Sequence, residues 1–147
     1  MTKGEDEKWM KLAIEEARKA KREGNLPFGA VVVCAGKVIS SEHGKENTEQ
    51  DVTAHAETRA ISGACHSLKR KDLSDCIVYA SGEPCNMCAS AIFQANVPRV
   101  VIGISRDELP NIMRPRKIKI EQLAEDCSYK PEIVKGVLRD EVLKLFE

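Results

Sequence analysis

Two short segments hold the residues able to do chemistry: His55-Ala56-Glu57 and Pro84-Cys85-Asn86-Met87-Cys88. One imidazole and two thiols suit a zinc ion, which takes nitrogen and sulfur donors in a tetrahedron and, at a catalytic centre, keeps its fourth position for water. Glu57 is then a carboxylate left over to move protons. Cys85 and Cys88, three apart, share one face of a helix. In a first helical turn, unpaired N–H groups and the helix dipole favour the thiolate that binds metal. His55 likewise opens a helix, behind a candidate cap at Thr53 or Asp51. Residues two apart do not share a helix face, so His55 and Glu57 converge on one Zn2+ only from a helix end. The expectation is two helix N-termini facing each other across the metal.

Other readings of these residues stay open. A C-x-x-C pair also serves thiol redox chemistry or half of a structural zinc site. A redox pair leaves His55-Ala56-Glu57 unexplained, and a closed structural site wants a fourth ligand. His43 lies in a polar loop, and His66 sits about three helical turns beyond His55, too far to share its metal.

The elements that must position these residues can be read from periodicity. Trp9, Met10, Ala13, Ile14, Ala17 and Ala20 keep a helical period over 5–23, and Gly24 stops it. The basic run 18–22 reads as a solvated face of that helix. Residues 30–34 and 38–41 form a hairpin around Ala35-Gly36-Lys37, and 42–50 is a polar loop. A second helix runs from Thr53, with Ala60, Ile61 and Ala64 on its apolar stripe. Residues 76–80 form a nearly continuous apolar strand, as expected when both sheet faces are covered. Pro84 suits the first turn of a third helix, and a further strand covers 97–104. Strands that follow helices in this way imply parallel crossovers. Pro110 and Pro115 exclude a long element between 105 and 117. A short helix at 118–127, a strand at 133–137 and a closing helix at 138–146 complete the chain. The fold class is therefore α/β: a three-layer α/β/α sandwich around a mixed five-stranded sheet, with 1–147 a single domain.

Lys+Arg and Asp+Glu both number 23, a zero balance that favours a small substrate over a polyanion. Neither a signal-peptide core nor a membrane-length apolar run is visible, which points to a cytoplasmic protein without a membrane partner. Its six cysteines are then expected to stay reduced.

An H-x-E segment followed by P-C-x-x-C is the pattern of the zinc-dependent nucleobase deaminases. On these residues the chain resembles the cytidine-deaminase-like superfamily, on the branch of guanine deaminase, yeast-type cytosine deaminase and the adenosine deaminases that edit tRNA. The resemblance covers roughly residues 8–104 and is most specific over 51–95. There it is nearest to guanine deaminases, although Val52 replaces their usual proline. It implies the cytidine deaminase-like fold, with His55, Cys85 and Cys88 on zinc and Glu57 as the catalytic proton carrier. It also implies a homodimer, and it suggests Phe28 and Asn47 as substrate-binding residues. Simple core packing for Phe28 and an uncommitted loop position for Asn47 are the alternatives. Asp107 and Glu108 stand where an acid reads the base in guanine deaminases, although two solvated acids account for them as well. Arg114, Arg116, Lys117 and Lys119 form a basic cluster where a tRNA-editing relative would meet RNA. Few aromatic residues are present to stack splayed bases, so nucleic acid is not the expected partner.

The expected function is hydrolytic deamination of a free nucleobase, guanine before cytosine. A tRNA-specific adenosine deaminase is the first alternative and a non-catalytic zinc-binding module the second.

Overall fold

A computed structural model describes residues 2–109 and 111–147, so Pro110 lies outside the described residues. Helix α1 (Lys3–Arg22) starts at Thr2, whose hydroxyl accepts the Glu5 N–H, and it buries Trp9, Met10, Ala13, Ile14 and Ala17. Strands β1 (Gly29–Cys34) and β2 (Lys37–His43) form the hairpin. The polar loop after it holds a single helical turn, α2 (Glu46–Glu49). Next come α3 (Ala56–Leu68), β3 (Cys76–Gly82), α4 (Asn86–Gln94) and β4 (Arg99–Ile104). A 3-10 turn at Arg106–Glu108 precedes α5 (Ile120–Glu125), β5 (Glu132–Val134) and α6 (Arg139–Leu143), and a second 3-10 turn at Lys144–Phe146 ends the chain.

The five strands lie in the order β2-β1-β3-β4-β5. β1 is antiparallel to β2 and β3, whereas β3, β4 and β5 run parallel, so the sheet is mixed. Strand side chains alternate between faces, and each face has its own core. Val32, Val78, Val100 and Ile102 pack with Ala60, Ile61, Ala64 and Ile92 of α3 and α4. Val31, Val33, Tyr79 and Val101 pack with Met10, Ala13 and Ile14 of α1 and Val142 of α6. The helices form the two outer layers of an α/β/α sandwich.

Buried polar groups pin α1 to the sheet. Asp6 accepts the Tyr79 hydroxyl at 2.9 Å and both Arg99 Nη atoms at 2.8 Å. All six cysteines are free thiols. Among the described residues no helix is long and apolar enough to cross a membrane.

Candidate metal centre and substrate cavity

Both metal-binding segments sit one residue ahead of a helix. His55 is the N-cap of α3 and Cys85 the N-cap of α4, each with extended backbone. An extended N-cap throws its side chain back across the helix end, so the two N-termini present their donors to each other. His55 Nδ1 lies 3.6 Å from Cys85 Sγ and 3.3 Å from Cys88 Sγ, and the two sulfurs are 3.5 Å apart. Tetrahedral zinc with Zn–S of about 2.3 Å and Zn–N of about 2.0–2.1 Å needs donor separations of about 3.5–3.8 Å. The three donors therefore fit one zinc ion to within a few tenths of an ångström.

Two details differ from the sequence expectation. His55 takes the cap position assigned to Thr53 or Asp51. The Asp51 carboxylate is occupied by the Thr53 N–H at 2.8 Å and the Thr53 hydroxyl at 2.7 Å. Pro84 precedes the α4 cap and is not in its first turn.

The charges at the centre are set by mutual hydrogen bonding. The Cys85 thiol is lowered to about 3, first by its hydrogen bond with Cys88 and then by His55, against the cost of burial. Its sulfur also accepts the Cys88 N–H at 3.5 Å, the ordinary bond of an N-cap acceptor. The Cys88 thiol is raised by the same sulfur–sulfur bond and by burial. His55 is raised, first by its bond to Cys85. Glu57, in the first turn of α3, is buried. Desolvation is the first cause that pushes its carboxyl up to about 7, with the Cys85 charge adding and His55 opposing. A carboxyl poised there both takes and returns protons near neutrality.

His55, Glu57 and Cys85 open onto a cavity of about 520 Å3, in the range that takes small-molecule ligands. Its apolar lining includes Phe28, Met87, Ile112 and Met113, and its cationic lining is Arg106, Arg114 and Arg116. Phe28 does two jobs: it faces the cavity and packs its ring against Phe146, with centroids 5.4 Å apart. The approach of Phe28 requires the glycine at 82, because a Cβ there would lie 2.7 Å from Phe28 Cε1.

Asn47 requires a correction. It is not among the cavity residues. Its side-chain amide donates to the Gly24 carbonyl at 3.0 Å and its backbone N–H to Asn25 Oδ1 at 2.9 Å, so it ties the loop to the end of α1. Asp107 and Glu108 are also committed elsewhere. Lys119 holds Asp107 at 2.7 Å, and Glu108 caps its own turn through the Ser105 N–H at 2.7 Å and contacts Arg139.

Sequence reasoning missed Arg106, Met113 and the task of Glu83. The Glu83 carboxylate is 3% exposed; it accepts the backbone N–H of Arg106 at 3.2 Å, that of Ile120 at 3.4 Å and Lys135 Nζ at 3.3 Å. Its place directly before Pro84-Cys85 was the available signal, since a carboxylate beside a metal motif is well placed to tether a neighbouring segment.

Cys34, Asp75 and Cys76 form a second compact group of possible metal ligands. There Arg70 already occupies Asp75, at 2.9 and 3.0 Å, and a metal would have to displace that guanidinium.

Residues 3–104 match the family described as the cytidine and deoxycytidylate deaminase zinc-binding region, and the chain belongs to that family. The chain is 36% identical over 143 residues to the tRNA-specific adenosine deaminase of Bacillus subtilis (strain 168), covering 93% of this chain and 83% of the relative. It is 31% identical over 141 residues to a probable cytosine deaminase of Schizosaccharomyces pombe, covering 92% and 86%. The solved guanine deaminase of Nitrosomonas europaea superposes with a TM-score of 0.85 at 27% identity, covering 95% of this chain and 81% of that one. The protein is thus a zinc-type deaminase of the cytidine-deaminase-like fold.

Proposed function

We propose that this protein hydrolyses the exocyclic amine of a purine or pyrimidine ring, with adenosine in tRNA as the first substrate to test and free guanine as the second. This order reverses the sequence ranking. Similarity to a tRNA-specific adenosine deaminase over 93% of the chain supports it. Free guanine keeps its place because of the structural likeness to the Nitrosomonas guanine deaminase.

The observation that carries the reading is Glu57: a buried carboxyl, pushed up to about 7, beside three converged metal donors and open to a cavity. When bound by His55, Cys85 and Cys88, zinc supplies the Lewis acidity that makes a water nucleophilic near neutral pH. Glu57 takes a proton from that water and passes it to the ring nitrogen next to the carbon under attack. It takes the second proton and delivers it to the amine, which leaves as ammonia while the ring carbon keeps the oxygen as a carbonyl. Phe28 offers a flat apolar face to the ring and Met113 an apolar contact, and both help exclude bulk water. The homodimer implied by the family resemblance is supported by exposed apolar side chains at the cavity mouth, Leu26, Val52 and Met87.

Glu57→Gln keeps the shape of the side chain and removes the proton carrier. The variant should retain zinc by elemental analysis and lose about 10²–10⁴-fold in ammonia release, assayed on an anticodon stem-loop, guanine, cytosine and adenosine. Wild-type turnover in the variant removes Glu57 from the mechanism. Zinc content without turnover of any substrate by the wild-type protein favours a non-catalytic binding module.

A further inference from the structure

Two cysteines outside the metal centre face each other across the sheet. Cys34, the last residue of β1, is the antiparallel partner of Cys76, the first residue of β3. Directly opposed residues of such a pair point to the same face, and both side chains belong to the core beneath α3 and α4. Their sulfurs and a carboxylate oxygen of Asp75 lie within 4.8 Å of one another. Opposed antiparallel residues have Cα atoms about 4.5–5.5 Å apart, inside the range of about 4.4–6.8 Å that a disulfide spans. Side-chain rotation therefore brings the two sulfurs to bonding distance with the sheet left in place.

The rim of this pair is polar, which plain packing does not require. Arg70 Nη2 donates to Cys34 Sγ at 3.9 Å, and the same guanidinium holds Asp75 at 2.9 and 3.0 Å. Cys76 Sγ donates to Asp75 Oδ1 at 3.5 Å. A neighbouring guanidinium favours the thiolate, the nucleophilic form of cysteine. The two thiols also differ in access: Cys34 is partly buried, whereas Cys76 is fully buried. Cys65 and Cys127 are different. Their sulfurs donate to the carbonyls of Lys71 and Leu123, with no guanidinium or second thiol bonded to them among the described residues.

We propose that Cys34 and Cys76 are a redox-active dithiol that reduces hydrogen peroxide and closes reversibly into a disulfide between β1 and β3. The Cys34 sulfur attacks the peroxide: an S–O bond forms, the O–O bond breaks, and the departing hydroxide takes a proton and leaves as water. Cys34 is then a sulfenic acid. The Cys76 sulfur attacks the Cys34 sulfur; the S–S bond forms and the S–O bond breaks. Asp75 passes the Cys76 proton to the departing hydroxyl, which leaves as a second water. The two thiols have lost two electrons and one peroxide has become two waters. Thiol–disulfide exchange with an external dithiol reopens the bond, and in a reducing compartment such disulfides are transient. The assignment is independent of the amine that the metal centre hydrolyses.

The test uses zinc-loaded protein, in which Cys85 and Cys88 are shielded as metal ligands. The protein is exposed to graded hydrogen peroxide, quenched with an alkylating reagent and mapped by peptide mass spectrometry, with zinc release followed in parallel. Peptides linked through Cys34 and Cys76 should form before zinc is lost, at least about tenfold faster than Cys65 or Cys127 is oxidised. Dithiothreitol should reverse the link. Cys76→Ser should stop the reaction at the Cys34 sulfenic acid, captured by dimedone, and Cys34→Ser should leave Cys76 unoxidised. Arg70→Ala should slow closure about threefold or more, and Arg70→Lys should recover part of the rate.

Cys34 and Cys76 that stay free while Cys65 and Cys127 oxidise overturn the proposal. So does wild-type protein that accumulates Cys34 sulfinic acid without linked peptides, because Cys76 has then failed to resolve the sulfenic acid. Dimedone labelling as strong in wild type as in Cys76→Ser refutes it on the same ground. An unchanged closure rate in Arg70→Ala refutes the activation of Cys34 by that guanidinium. The wild-type peptide map needs no variant, so it decides the matter even where a cysteine substitution prevents folding.

Discussion

Gly29→Ala is the sharpest test of how the site is held. Gly29 opens β1 directly after Phe28, and its N–H donates to Ser81 Oγ at 3.0 Å. A Cβ at this position would lie 2.0 Å from the Ala13 carbonyl oxygen, 2.7 Å from the Ala17 nitrogen and 2.8 Å from Glu16 Cβ. Two of these neighbours are backbone atoms of α1, which no rotamer change can move aside. An ordinary contact is about 3.5 Å, so the helix must shift by roughly 1 Å or more. That shift loosens Met10, Ala13 and Ile14 against Val31 and Val33. Overpacking typically costs about 1–3 kcal/mol, and a clash with helix backbone belongs at the top of that range. At about 2–4 °C per kcal/mol for a chain of this size, the melting temperature should fall by about 6–12 °C. Gly36→Ala is the control. Gly36 has φ +74° and nothing within 4 Å of an added Cβ, so it carries only the backbone penalty of about 1–2 kcal/mol. Thermal unfolding followed by circular dichroism compares the two. If Gly29→Ala melts no lower than Gly36→Ala, helix packing does not explain why glycine stands there.

Two further changes probe the supports of the site. Asp6→Ala breaks a buried pair with Arg99 and should cost about 3 kcal/mol near pH 7, read from urea unfolding. The Arg99 guanidinium holds the Asp6 carboxyl below its ordinary 3.8, against burial. The stability it contributes is therefore fully present above that value and is lost as pH falls through the lower folded value. The gap between variant and wild type should narrow below about pH 3.8, and a gap that stays constant down to pH 2 would rule out the ionised pair as its source. Glu83→Ala strands the Arg106 and Ile120 N–H groups and should cost about 3 kcal/mol; it should also raise KM more than it lowers kcat, and an unchanged melting temperature would show that the tether carries no load.

The parts of the fold legible in the sequence are those whose pattern is set by neighbours along the chain. The period of Trp9 to Ala20 predicts a helix over 5–23, and α1 spans Lys3–Arg22. The apolar run at 76–80 becomes the central strand β3, Cys76–Gly82. Short elements are less legible, because tertiary contacts decide their ends. The final strand shrinks from 133–137 to Glu132–Val134, the closing helix divides into α6 and a 3-10 turn, and the polar loop gains the one-turn α2. Asn47 illustrates the same limit: its partners, Gly24 and Asn25, lie more than twenty positions upstream, and no spacing rule exposes them.

The metal donors and the substrate wall differ in legibility for a related reason. Zinc ligation is a local demand, met by placing His55 and Cys85 at two helix N-caps and Cys88 in the first turn of α4. Much of the wall, Arg106, Ile112, Met113, Arg114 and Arg116, comes from a stretch whose only regular element is the 3-10 turn Arg106–Glu108 among the described residues, and it is held by contacts from outside. Glu83 makes the decisive one. It directly precedes Pro84-Cys85, and its two oxygens take the N–H groups of Arg106 and Ile120, one on each side of the segment that carries Met113, Arg114 and Arg116. One carboxylate thus couples the metal motif to the wall that faces the substrate. On the proposed reading, the chemistry rests on the N-caps and first turns of α3 and α4, and the fit of the ring on the segment that Glu83 tethers.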